Sequence, residues 1–367
     1  MKKKASLKSI DGKAGVSATL VSSVINDKVG SHINKDLAKK IRDVAKELNY
    51  NANQEARNSK TSKSATIGLI VADISNPFSS SLASVIENEA DKAGYTVLYG
   101  SSDENPEKSQ KLIDAFMNQN VDGLIIAPAA GSEAQILDLE NRNIPFVLID
   151  RYFPELTTNY VALDNFQASY MAVNHLIDHG HKKIGMITFD TSLHHMRERK
   201  RGYMEALLEH DRAFEPDCLV ELGHDFLPEE MDVALSRLLN LENPIDALYL
   251  TTNRLGMQAL KYINSNKIKV PEELAVISFD ETEFLDLFAT PVTQLRQPLK
   301  EMGKMATEIL LAAISDNNKL TQMHLQPLLV IKGSSTMTRL AKKAPVEVIE
   351  TAESEVFANQ DLAFAEV

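Results

Sequence analysis

The chain has 367 residues, more than one compact core accommodates, and 44% of them are apolar, so two or three globular domains are expected. A single Cys excludes a disulfide framework or a Cys-rich zinc site, and the absence of Trp argues against a carbohydrate platform built on exposed indoles. The net charge of −12 conceals a division: residues 1–64 hold 14 Lys or Arg against 6 Asp or Glu, and the other 303 residues hold 25 against 45.

A basic N-terminal segment on an acidic body suits attraction to a phosphate backbone, with the body repelled from the duplex. Lys2, Lys3 and Lys4 resemble the start of a signal peptide, but Ser6, Lys8, Ser9 and Asp11 leave no apolar stretch behind them. No apolar run approaches the ~18 residues of a membrane span. A cytoplasmic protein without a membrane partner is expected.

Within the basic segment, Leu7, Ile10 and Ala14 fit one helical face, Val21, Val24 and Ile25 a second, and Leu37, Ile41, Val44, Ala45 and Leu48 a third. Gly15-Val16 breaks the first helix, and the Ser17 hydroxyl is suited to cap the second. Three short helices on one small core read as a helix-turn-helix. Its second helix would turn Ala18, Thr19, Ser22, Ser23 and Asn26, with Ser17 at its start, toward DNA bases and phosphates.

After a Ser/Thr/Lys-rich connector at 58–64, strand-like and helix-like runs alternate. Strands are expected at 66–73, 96–100, 123–127, 145–150, 183–188, 246–251 and 274–279, and helices at 80–93, 107–118, 167–179, 196–210 and 253–265. This alternation implies parallel sheets covered by helices on both faces. The run Ile67 to Asp73 is echoed by Ile184 to Asp190, which predicts two similar α/β halves. Ligands of such sheets bind outside the carboxyl ends of the strands, so Asp73, Asp150, Asp190, Asn253 and Asp280 are expected to wall a shared cleft.

No dinucleotide fingerprint, phosphate-binding Gly-rich loop or nucleophile elbow is present, and no catalytic constellation, cofactor or metal is expected. His175 and His179 stand four apart, with His181, His194 and His195 nearby, and a metal site is one reading of them. The other, preferred for want of a completing Cys or carboxylate, is a helix end where His meets the last carbonyls.

Residues 5 to about 336 resemble the LacI/GalR family of bacterial transcription regulators. The resemblance is carried by Gly15-Val16-Ser17, Val24-Ile25-Asn26, Leu48-Asn49-Tyr50-Asn51 and Ala56-Arg57 at the basic end. In the body it is carried by Asp73 to Phe78, Asp150-Arg151, Asp164-Asn165, Arg199 with Gly202-Tyr203, Phe279-Asp280 and Arg296-Gln297-Pro298. It implies an N-terminal all-α helix-turn-helix domain (1–50), a hinge (51–64) and an α/β periplasmic-binding-protein-like body of type I (65–336). That body would have two Rossmann-like subdomains, roughly 65–162 with 291–320 and 163–290 with 321–336.

The implied function is a homodimeric regulator, more readily a repressor than an activator, that binds operator DNA and responds to a small effector, a sugar or related metabolite. By position, Phe78, Asp150, Arg199, Asn253 and Asp280 match effector contacts, and Tyr50, Asn53, Arg57 and Ser59 extend the DNA-binding set. Several residues depart from the family pattern: Asp11 and Gly12 in the first helix, Leu20 and Ser23 in the second, and Ala52, Glu55 and Ser59 in the hinge, where Ser59 replaces a Leu wedge. Two readings therefore stand: a regulator with altered operator recognition, and an effector sensor that has lost family-typical operator binding. Residues 344–367, with six acidic residues and no Lys or Arg, form a tail expected to be disordered or weakly helical.

Overall fold

The computed structural model describes residues 13–17, 20, 21, 24, 35–47, 63–226, 228–315, 319–336 and 348–349. The chain divides into two compact units, 1–64 and 65–367.

In the first unit, helical residues at 13–14, at 20, 21 and 24, and in helix α1 (Lys35–Glu47) share one core. Ala14, Val21, Val24, Ala38, Ile41 and Ala45 are its buried members; all but Ala38 are residues the helical spacing selects, and Leu37 and Val44, also selected, pack against it half-buried. Gly15 has φ +73°, a left-handed turn that side-chain-bearing residues rarely adopt. The Leu20 amide lies 3.4 Å from the Ser17 hydroxyl, so Ser17 caps the second helix as expected. Leu20, one of the departures, packs against this core.

The second unit contains two sheets. The first has the order β11-β5-β4-β3-β1-β2, with β1 at Thr66–Val71, β2 at Thr96–Ser101, β3 at Gly123–Ile126, β4 at Phe146–Asp150, β5 at Tyr160–Leu163 and β11 at Gln322–Leu325. All its pairings are parallel. The second has the order β13-β12-β10-β9-β8-β6-β7, with β6 at Ile184–Phe189, β7 at Leu219–Leu222, β8 at Ala247–Leu250, β9 at Ala275–Phe279, β10 at Thr293–Arg296, β12 at Leu328–Val330 and β13 at Val348–Ile349. It is parallel from β7 to β10, and β12 and β13 are antiparallel. The echoed runs become β1 and β6, each flanked by an edge strand on one side and by the third strand of its own half on the other. The two halves thus repeat one strand order.

Helices cover both faces of each sheet: α2 (Pro77–Lys92), α3 (Pro106–Asn118), α4 (Glu133–Asn141) and α10 (Leu299–Ile314) in the first half. In the second are α5 (Asn165–Asp178), α6 (His194–Glu209), α7 (Pro228–Leu239), α8 (Asn253–Ser265) and the short α9 (Glu283–Asp286). No described helix is long and apolar enough to cross a membrane.

Two expectations are corrected. The strand crossings differ from the expected subdomain limits, because Thr293–Arg296 lies in the second sheet and Gln322–Leu325 in the first. The physical reason is pairing: β10 continues the parallel ladder beside β9, whereas β11 completes the edge beside β5. The tail also contributes structure, for Val348 and Ile349 pair with Val330 and Leu329 as an edge strand. Helix starts fall earlier than predicted where a cap precedes them, as at Asn76-Pro77, whose side chain accepts from the Phe78 amide.

Candidate effector cleft

The carboxyl ends of both sheets open on one cleft of about 280 Å³. Its floor carries two aspartates at equivalent places, Asp150 at the end of β4 and Asp280 immediately after β9. Both are buried, and both have φ +67°. A non-Gly residue in this left-handed region carries about 1–3 kcal/mol of strain. Asp is among the few types that tolerate it, since its short side chain hydrogen-bonds locally. The turn aims each carboxylate off its strand end into the cleft.

Arg199 lies between them. It is carried on α6, which crosses α5 so closely at Gly202 that a Cβ there would sit 2.3 Å from the Phe166 carbonyl oxygen. This close approach brings Asn165 of α5 to the guanidinium, where Arg199 Nε donates to Asn165 Oδ1 at 2.8 Å. Nη1 donates to the Thr251 carbonyl at 2.5 Å, and the group lies 3.4 Å over the Phe279 ring. Burial lowers the pKa of Arg199, and Asp280 and Asp150 oppose that shift.

The two aspartates have different company. Burial pushes both carboxyls above the ordinary range, partly offset by Arg151 and Arg199 at Asp150, and by Arg199, Gln297 and the Asn253 amide at Asp280. Asp150 Oδ2 lies 3.3 Å from Arg151 Nε. Arg151 in turn forms a bidentate pair with Glu104, at 2.6 and 2.7 Å. Burial raises Glu104, but hydrogen bonds from His224 and Arg151 outweigh it and hold this carboxyl well below the usual range. Asp280 Oδ1 accepts from Gln297 Nε2 at 2.7 Å.

Contacts also bridge the two halves. Asn253 Nδ2 donates to Asn76 Oδ1 at 2.7 Å, the same oxygen that caps α2, and His224 Nε2 lies 3.5 Å from Glu104. Of the residues expected at the effector, Phe78, Asp150, Arg199 and Asp280 line the cleft together. Asn253 is buried beside them with its side chain on Asn76 at the junction of the halves. Asp73 and Asp190 also line the cleft, although Asp73 is engaged with Ser75 of its own turn.

Sequence reasoning missed Glu104, His195 and His224. His195 stands one helical turn before Arg199 and is buried, with Nδ1 lacking a hydrogen-bond partner; desolvation, then Arg151 and Arg199, lower its pKa far below the ordinary value. Its i, i+4 spacing from Arg199 was the available signal.

The two histidines spaced four apart have local partners. His175 Nε2 bonds Ser335 Oγ at 2.8 Å, His179 Nδ1 bonds the His175 carbonyl at 2.8 Å, and the two rings stand 4.0 Å apart. No group of three potential metal ligands occurs among the described residues. Of the expected DNA-contacting residues, Ser17 is exposed at the start of its helix; Ala18, Thr19, Ser22, Ser23, Asn26, Tyr50, Asn53, Arg57 and Ser59 lie outside the described residues, as do Asp11, Gly12, Ala52 and Glu55.

Residues 6–53 match bacterial regulatory proteins of the lacI family, and residues 173–336 match the periplasmic binding protein-like domain. The chain is 30% identical over 325 residues to the HTH-type transcriptional repressor PurR of Aliivibrio salmonicida, covering 87% of this chain and 96% of that protein. It is 29% identical over 333 residues to the ribose operon repressor of Haemophilus influenzae, with 90% and 98% covered. Among solved structures, the lac repressor dimer bound to operator and the anti-inducer ONPF superposes with a TM-score of 0.68 at 21% identity, over 91% of this chain and all of that one.

Proposed function

This chain belongs to the LacI family of bacterial regulatory proteins, a family of DNA-binding transcription regulators, and from that membership we propose that it represses transcription as a homodimer under the control of a small effector. The effector is a sugar or related metabolite, held between the two halves of the body by Asp150, Arg199 and Asp280, with Phe78 against it and Asn253 at the junction. The chain is a binding protein rather than an enzyme. The observation that carries this reading is the pair of left-handed aspartates facing one buried guanidinium at the carboxyl ends of two sheets with the same strand order. Carboxylates accept hydrogen bonds from hydroxyls and a guanidinium supplies a fixed fork of donors, which is the chemistry that vicinal diols require.

The bridging contacts, Asn253 to Asn76 and His224 to Glu104, give effector binding a mechanical outlet. A ligand that prefers one degree of closure shifts the body toward it by its differential affinity for the two arrangements, and DNA affinity follows by linkage. In the basic module, the turn at Gly15, the cap at Ser17 and the small core of Ile41 fit a helix-turn-helix, in which Ser17, Ala18, Thr19, Ser22, Ser23 and Asn26 would be the major-groove contacts. Tyr50, Asn53, Arg57 and Ser59 continue that contact into the hinge.

Arg199→Ala and Asp280→Ala test the division of labour. Each is expected to abolish the effect of a bound metabolite on operator affinity while leaving effector-free DNA binding within a few fold of the parent. Loss of effector-free operator affinity in either variant would refute the assignment.

A further inference from the structure

The polar capacity of the cleft is lopsided. Five carboxylates, of Asp73, Glu104, Asp150, Asp190 and Asp280, line it against three guanidinium groups, of Arg151, Arg199 and Arg254. The two buried cations have most of their donors engaged. Arg151 gives both terminal nitrogens to Glu104, and its Nε faces Asp150. Arg199 gives Nε to Asn165 and Nη1 to a backbone carbonyl. Arg254 lies 5.2 Å over the Phe226 ring, beside the His224 ring nitrogen.

The acceptors are in surplus. An ionised carboxylate has about four lone-pair sites. Asp280 receives Gln297 Nε2 and the Asn253 amide, whereas Asp150 has the Nε of Arg151 at 3.3 Å and the charge of Arg199. Among the cleft-lining residues Gln297 Oε1 and His195 Nδ1 are buried without a partner, and the one buried donor in the same position is Arg151 Nε, 3.3 Å from Asp150. A ligand that satisfies this surface must arrive with donors, because buried acceptors left unmade cost about 1–3 kcal/mol each.

From this inventory we propose that the cleft takes an uncharged, hydroxyl-rich molecule and refuses its phosphorylated or carboxylated counterpart, with Glu104 setting the exclusion by filling the fork of Arg151. The inference rests on the effector reading above and narrows it to a ligand class. An entering phosphate would need a free guanidinium fork, and it would find Arg151 held by Glu104 with Asp150 and Asp280 close by. A sugar hydroxyl instead donates to either aspartate and accepts from the nitrogen of Arg199 that points away from Asn165 and Thr251.

The test is calorimetric titration of the full chain with matched sets: glucose with glucose 6-phosphate and glucuronate, ribose with ribose 5-phosphate, and cellobiose, maltose and mannitol. At least one uncharged member is expected to bind, with its anionic counterpart at least 100-fold weaker. Glu104→Gln, which removes the charge and one of the two acceptors that hold Arg151, should narrow that gap to under tenfold, and Asp280→Asn should weaken the uncharged ligand at least tenfold. An anionic member bound as tightly as its parent overturns the proposal, as does a set in which no uncharged member binds. An unchanged gap in folded Glu104→Gln overturns the role of Glu104. A sugar that binds without altering operator affinity would leave this inference standing and contradict the proposed function, so the two fail separately.

Discussion

The two halves of the body share a strand order and end equivalent strands in an aspartate with the same left-handed φ, yet they surround that aspartate differently. In the first half Asp150 belongs to an ionic chain, Asp150 to Arg151 to Glu104. In the second, Asp280 is held by a neutral amide and a backbone N–H, and its half supplies the one guanidinium between the two carboxylates. The repeated backbone fixes where polar groups are aimed. The unrepeated neighbours decide which of them carry charge, and hence what the cleft accepts.

Breaking the shared element should have the largest effect. Arg199→Ala leaves both aspartates without their common counter-charge and Asn165 without its donor, and removing one member of a buried ionic set costs about 3–5 kcal/mol. Urea unfolding of the variant should show that loss. A cost under 1 kcal/mol would mean that the aspartates do not depend on Arg199.

Acid should weaken the second half through its buried histidines. Burial, then His179 and His181, lower His175 to about 3, so it stays neutral in the folded state while the unfolded chain takes up a proton near 6.5. Its contribution is present above 6.5 and is lost as the pH falls from there toward 3, with a slope of at most about 1.4 kcal/mol per pH unit. His175→Gln should flatten the stability profile across that window. An equally steep profile in the variant would assign the loss to other groups.

Replacing the two aspartates by Asn should have opposite signs. Burial raises both carboxyls, so each one's stabilising contribution exists at low pH and is lost as the pH rises through the folded value; they differ in what holds the ionised form, two hydrogen-bond donors at Asp280 against an Arg151 that Asp150 shares with Glu104. Asp150→Asn keeps a residue type that accepts φ +67° and leaves Arg151 paired to Glu104, so the ligand-free protein should gain about 1 kcal/mol while losing affinity for its effector. Asp280→Asn turns an amide toward the Asn253 N–H and should cost about 1 kcal/mol. Thermal unfolding of the pair decides it, and shifts of the same sign would erase the distinction. The smallest effect is expected from truncation after residue 343, which should speed hydrogen exchange at Leu329 and Val330 without moving the melting temperature beyond about 2 °C.

Much of this was legible in the sequence. The echoed strands announced two similar halves, and the helical spacing of Ile41 with Ala45 announced the small core. An aspartate after an apolar run marked each strand end at the cleft. What stayed hidden depends on tertiary approach. Glu104 sits in a turn after β2 with no periodic pattern, and only the fold brings it to Arg151, 47 residues away. His224 reaches it from the other half. Asn253 was expected to wall the cleft, but it opens α8 and its side chain turns to Asn76, whose capping oxygen lies in reach. The exchange of β10 and β11 between the sheets was equally unreadable, since two short strands carry no mark of which ladder they will join.

We propose a working regulator whose operator contacts depart from the family pattern at Ser23 and Ser59, with Leu20 turned to the core. The most direct measurement is binding of the purified protein to fragmented genomic DNA, washed at moderate salt and sequenced, beside a variant depleted of Lys and Arg in residues 1–64. Enrichment of a palindromic site by the parent alone is the predicted result. Diffuse, salt-sensitive binding with no enriched sequence would contradict it and leave a sensor that has lost its operator.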